Sequence, residues 1–189
     1  MRLQMAEVRH QPMSLDEFLA WENEQELRYE LVDGQAVMMT GGTVAHDYVR
    51  SRIALALGNQ LQGKPCRLAL DVKIACPNGN VRYPDVAVHC GPYRPRDLLA
   101  SEPRIVIEVL SDSTKATDFL IKLRDYQSVP DIAAYLIFWQ DEARVLVHRR
   151  NEQAWQPGEE LVGAGAIVGL PEIGAELSLA EIYREIVPE

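Results

Sequence analysis

A chain of 189 residues, 47% of them hydrophobic, is long enough to bury one real core and too apolar to be disordered. Its 19 basic and 28 acidic side chains leave a net charge of −9, which weighs against a general nucleic-acid binder that works by neutralising phosphates. No apolar run is long enough to span a membrane, and the opening MRLQMAEVRHQPMSLDEF lacks the apolar stretch of an export signal, so the cytoplasm is the expected location.

Residues 1 to 12 read as a loose arm. Ser14-Leu15-Asp16-Glu17 fits a capping box and predicts a short helix to about Glu24. Asp33-Gly34 between two apolar runs signals a β-hairpin. From Thr43 to about Gln62 the spacing turns helical: Val49, Ile53, Leu57 and Leu61 share a face, and Gly63 is the stop. Residues 66 to 76 read as a strand, PNGN as a turn, and VRYPDVAVHC (81 to 90) as a strand with Pro84 in its middle. Proline cannot donate to a sheet ladder, so its place beside Asp85 calls for an explanation.

Residues 91 to 103 read as a loop. RIVIEVL is a buried strand interrupted by Glu108. Ser113 or Thr114 caps a helix to about Gln127. Ala133 to Trp139 is a second buried strand, and Arg144 to Arg150 flanks it. The tail carries Leu161, Ile167 and Leu170 near glycines, then a short helix from Ser178. Cys66, Cys76 and Cys90 lack metal-site spacing and read as reduced packing residues. The order from residue 43 is helix, three strands, helix, strand, strand: an α/β (α+β) fold whose mixed sheet is flanked by helices, preceded by an N-terminal helix and a hairpin.

Burying an ionised Glu108 costs several kcal/mol unless it is paired, protonated or bound to a metal. Asp85 lies on the preceding strand. If the strands are neighbours, both carboxylates point into one cleft, and a divalent cation relieves their repulsion. Hard oxygen ligands suit Mg²⁺ or Mn²⁺. In this reading Pro84 bends the strand and releases Asp85 toward the cleft. The alternative is an exposed Asp85 on an edge strand, with Glu108 neutralised by Arg82 or Arg104. Asp118 and Lys122 sit four apart on the next helix, either as a surface ion pair or with Lys122 over the metal site.

RYELVDG, His46 in the following helix, RYPDVAV, P-x-x-x-IEVLS-x-ST and D-x-x-x-K-x-x-x-Y together resemble the Uma2 family, whose members are restriction-endonuclease-like. The resemblance runs from about Arg28 to Arg150. It implies the PD-(D/E)-x-K nuclease fold, one domain over residues 1–189 with its core at about 43–150. It makes Asp85 and Glu108 the catalytic acids and ligands of Mg²⁺ or Mn²⁺, helped by the main-chain carbonyl of Val109. The superfamily lysine would fall at Leu110, so Lys122 stands as its migrated equivalent. Glu30, His46 and Asp118 match family positions in supporting roles. Two departures from the family pattern are Asp112 and Ala134.

Two functions compete at this level. One is a metal-dependent endonuclease acting on DNA. The other is a non-catalytic binding or interaction protein that keeps the nuclease fold, which the acidic balance favours. A homodimer is expected, because duplex cleavage takes two sites and Met38, Met39, Leu98, Leu99, Trp139 and Trp155 offer apolar surface beyond one core.

Overall fold

Ser14 opens the first helix, α1 (Leu15–Glu22), with both halves of the expected box: its hydroxyl accepts from the Glu17 N–H and the Glu17 carboxylate accepts from the Ser14 N–H. The computed structural model describes residues 12–110, 116–152 and 154–186. Strands β1 (Tyr29–Val32) and β2 (Gln35–Met38) form the hairpin. Both turn residues have positive φ, 49° at Asp33 and 79° at Gly34, the geometry for which Asp-Gly is suited. Thr43 caps α2 (Val44–Gln60), whose Val49, Ile53 and Leu57 are fully buried.

The next two expected strands each divide. Residues 66 to 76 yield β3 (Arg67–Ala69) and β4 (Ile74–Ala75), and residues 81 to 90 yield β5 (Val81–Arg82) and β6 (Val86–His89). The halves belong to different sheets. β4 and β5 join the hairpin in the order β2-β1-β5-β4. β3 and β6 join β7 (Pro103–Leu110), β8 (Ala134–Trp139), β9 (Arg144–Arg149) and β10 (Glu159–Val162) in a six-stranded sheet ordered β10-β9-β8-β7-β6-β3. The chain changes sheet at Tyr83-Pro84-Asp85. Pro84 therefore sits where no ladder bond is required, which removes the conflict of a mid-strand proline.

Helix α3 (Ala116–Ser128) carries the crossover between β7 and β8, which pair in parallel. The expected caps Ser113 and Thr114, and Asp112, lie outside the described residues. The tail forms a second hairpin, β11 (Ile167–Leu170) and β12 (Ala175–Ser178), before α4 (Leu179–Ile182). Two apolar clusters sandwich the central sheet. One gathers α2, α4 and the tail hairpin, and the other gathers β4 and the inward face of α3.

Cys66 and Cys90 form a disulfide, against the expectation of three reduced cysteines; only Cys76 is free and buried. The antiparallel pair Arg67–His89 explains it, because it brings the residues flanking that pair together although they lie 24 apart in sequence. Part of the surface expected for a dimer packs inside the chain. Leu99 bridges to Lys73, and Trp139 and Trp155 rest against the α3-side core. Val37, Met38 and Leu98 remain exposed.

Candidate active site

The register of β6 against β7 pairs Val86 with Ile107, so Asp85 and Glu108 come next on each strand at the same end of the sheet. The Asp85 Oδ2 accepts from the Val109 N–H at 2.7 Å and lies 3.2 Å from the His46 Nε2. His46 stands in the first turn of α2. One turn later, the Arg50 Nε donates to the Asp85 carbonyl at 3.2 Å. Helix and strand thus hold Asp85 by its side chain and its backbone.

Glu108 is held from α3. The Lys122 ammonium lies 3.2 Å from both of its carboxylate oxygens, and the Tyr126 hydroxyl donates to Oε1 at 2.7 Å. Neither expected arginine is its partner: Arg104 donates to the Asp131 carbonyl, and Arg82 turns to other acids. Lys122 also lies 3.7 Å from Glu30. Glu30 is not an exposed hairpin residue. It is buried, accepts from the Tyr83 N–H at 3.1 Å and pairs with Arg82 at 2.8 Å.

Arg82 is the hub beneath. Its side chain is fully enclosed, with one nitrogen on Glu30 and Nε 2.7 Å from Asp125. Asp125 also accepts from Asn78 and from Asn80, while the Asn80 side-chain oxygen accepts from the Asp33 N–H at the hairpin turn. A polar chain therefore runs from the hairpin through Arg82 to Lys122 and Glu108. Glu30, His46, Asp85, Glu108 and Lys122 all come together. The Asp118 side chain lies outside the described residues.

The electrostatics follow from this enclosure. Burial pushes the Glu108 carboxyl up to about 7; Lys122 and Tyr126 oppose the rise, while Asp85 and Glu30 add to it. Burial also acts to raise Asp85, but the His46 hydrogen bond and charge, the Val109 N–H and Lys122 together hold it below the usual carboxylate range. The hydrogen bond to Asp85 raises His46 above its ordinary value despite burial. Burial acts to lower Arg82, yet Glu30 and Asp125 keep its guanidinium firmly charged.

Four acids, Glu30, Asp85, Glu108 and Asp125, gather around two basic side chains, Arg82 and Lys122. A divalent cation would suit a cluster in which acids outnumber bases. Among the described residues no three His, Cys, Asp or Glu gather as an ion cage. Asp85 and Glu108 are the two hard carboxylates that could hold such an ion, with main chain and water filling the remaining positions, as would suit Mg²⁺.

Sequence reasoning offered Arg82 only as a partner of Glu108, and missed its pairing with Glu30 and Asp125 as well as the place of Asp125 and Asn80 in this cluster. Asp125 stands three residues after Lys122, close to one helical turn, which is the signal that could have found it. Arg82 lies two residues before Pro84, in a strand whose partner sheet is not legible locally.

The Uma2 family model, described as "Putative restriction endonuclease", matches residues 15–180. "Uncharacterized protein slr1290" of Synechocystis sp. (strain ATCC 27184 / PCC 6803 / Kazusa) is 32% identical over 178 residues, which cover 91% of this chain and 92% of that protein. The crystal structure of "a putative nuclease belonging to DUF820" from Anabaena variabilis ATCC 29413 superposes with a TM-score of 0.74 and 21% identity, covering 91% of this chain and 98% of that one. At that identity the likeness speaks for the fold.

Proposed function

Since the chain belongs to the Uma2 family, we propose that it is a metal-dependent endonuclease that hydrolyses DNA phosphodiester bonds. The observation that carries this reading is the juxtaposition of Asp85 and Glu108 at one sheet end, with the Lys122 ammonium 3.2 Å from Glu108. Asp85 and Glu108 would hold Mg²⁺ or Mn²⁺, with the Val109 carbonyl as a third donor. The ion, when bound, polarises the scissile phosphate and acidifies a coordinated water. The Asp85 Oδ2 is engaged by His46 and the Val109 N–H, which leaves Oδ1 as its ligand oxygen. Lys122 orients the attacking water and offsets negative charge developing on the phosphate. His46 keeps Asp85 ionised and aimed, while Glu30 and Arg82 set the position of Lys122. Asp118, from the same helix as Lys122, takes a supporting role.

In this reading the protein works in the cytoplasm, where its DNA substrate lies, and two copies pair so that both strands are cut. The exposed edge strand β2, with Val37 and Met38, is the surface offered for pairing. The test is cleavage of supercoiled plasmid and of single-stranded DNA with Mn²⁺, Mg²⁺ or EDTA. Wild type is expected to nick or linearise DNA only with metal, and Asp85→Asn and Glu108→Gln are expected to lose at least a hundredfold in rate. Metal-independent cutting, or cutting that survives both substitutions, would overturn the assignment.

A second reading is a non-catalytic nuclease-fold binding protein. It is favoured by the net charge of −9 and by Lys122 already neutralising Glu108. It predicts no cleavage and no change of melting temperature with Mn²⁺.

A further inference from the structure

We propose that the loop between β6 and β7 is a DNA-gripping arm, in which Tyr93 stacks on a base and Arg67, Arg94 and Arg96 hold the backbone. The inference rests on the DNA reading above and adds the surface that would hold the substrate. In a chain of net charge −9, this loop exposes Tyr93, Arg94 and Arg96 together, and Tyr93 is 68% exposed. Arg67 reaches from edge strand β3 to lie 5.5 Å from the Tyr93 ring centre, and donates to the Gly91 carbonyl at 3.2 Å. Against three guanidinium groups the loop sets two exposed acids, Asp97 and Glu102, of which only Asp97 lies in the stretch that carries Tyr93.

The loop is built to stay in place. Cys90 is bonded to Cys66, and its N–H donates to the Glu102 carbonyl. Gly91 packs so closely on Ser101 that a Cβ there would fall 2.5 Å from its hydroxyl and 2.8 Å from its carbonyl. The Ser101 hydroxyl donates to the Pro92 carbonyl, and the Ala100 N–H to the Lys73 carbonyl. Pro92 and Pro95 fix φ on either side of Tyr93 and Arg94. Ordering these groups beforehand lowers the entropy cost of binding.

An exposed aromatic face bordered by guanidinium groups matches the combination that nucleic-acid strands require: π-stacking for a base and fork-shaped donors for phosphates. An acidic peptide would use the arginines but not the ring. The position suits the proposed site as well. Asp85 immediately precedes β6 and His89 ends it, so the arm starts about 13 Å from Asp85 at ~3.3 Å per residue. That is about four base pairs at ~3.4 Å rise.

The test is fluorescence anisotropy of a labelled single strand and the matching duplex in EDTA, where no cleavage occurs, over 50 to 200 mM salt. Arg94→Ala/Arg96→Ala is expected to weaken binding by roughly tenfold or more and to lower the salt slope by between one and two. Tyr93→Ala is expected to weaken single-strand binding by roughly tenfold with the slope unchanged. All three side chains are exposed, so melting temperatures should match wild type. A wild type that binds neither DNA, or variants that bind as wild type with the same slope, would overturn the inference. Cleavage with Mn²⁺ is scored separately. Binding through the arm without cutting removes the nuclease reading alone, and cutting with arm-independent binding removes the arm alone.

Discussion

Glu108 carries a burial cost that Lys122 and Tyr126 only partly relieve, and this makes its behaviour with pH predictable. Its carboxyl rises from an ordinary 4.5 to about 7 in the folded chain. Between those values the folded state holds a proton that the unfolded state has lost, so stability falls as pH rises through that window. His46 acts in the same sense: its raised value adds stability that is full below about 6.5 and is lost as pH climbs through its folded value. Asp85, held low, loses its contribution only as pH falls below 3.8. Glu108→Gln removes the Glu108 penalty. It should therefore melt above wild type at pH 8, by roughly 2–4 °C if about 1 kcal/mol is recovered. Thermal melts at pH 5 and pH 8 check this, because the gain should shrink or vanish at pH 5. A second residue-scale prediction concerns Gly42. A Cβ there would fall 2.7 Å from the His46 Nδ1 and 2.9 Å from its Cγ. Gly42→Ala should push the ring off Asp85 and cost about 1–3 kcal/mol. In a His46→Ala background most of that cost should disappear, which denaturant unfolding of the four proteins would show.

Elements read well from the sequence where their cause is local. The capping box of α1, the Asp33-Gly34 turn and the four-residue spacing of α2 all act within a few residues, and each element stands close to where it is expected. The strands around Pro84 did not read well, because membership of a sheet is set by partners far along the chain. Nothing within residues 81 to 90 shows that Val81 pairs with Leu31 while Val86 pairs with Ile107. The Cys66–Cys90 bridge was hidden for the same reason. So was the Arg82 hub, since its partners Glu30 and Asp125 arrive from β1 and α3, while Asp85 and Glu108 were visible as acids in apolar strands. The hub carries its own prediction. Arg82→Met leaves Glu30 and Asp125 enclosed without their cation and should cost roughly 3–5 kcal/mol in denaturant unfolding. A loss below 1 kcal/mol would mean the two acids find other partners.

At the scale of the whole molecule, two sheets and two helices meet at Asp85 and Glu108, the pair to which the proposed function assigns one cation. The central sheet supplies the acids, α2 supplies His46, α3 supplies Lys122, and the hairpin sheet supplies Glu30 and Arg82. The acids stand at one end of the β6–β7 pair, and the loop that carries Tyr93, Arg94 and Arg96 leaves the other end of β6. The most direct measurement is isothermal calorimetry of Mn²⁺ binding to the metal-free protein, repeated with Asp85→Asn and across pH 6 to 8. Binding requires Glu108 ionised, so affinity should rise with pH through about 7. The account predicts one Mn²⁺ per chain, bound more tightly at pH 8 than at pH 6, and at least tenfold weaker binding in Asp85→Asn. No binding heat in wild type, or equal binding by Asp85→Asn, would contradict it.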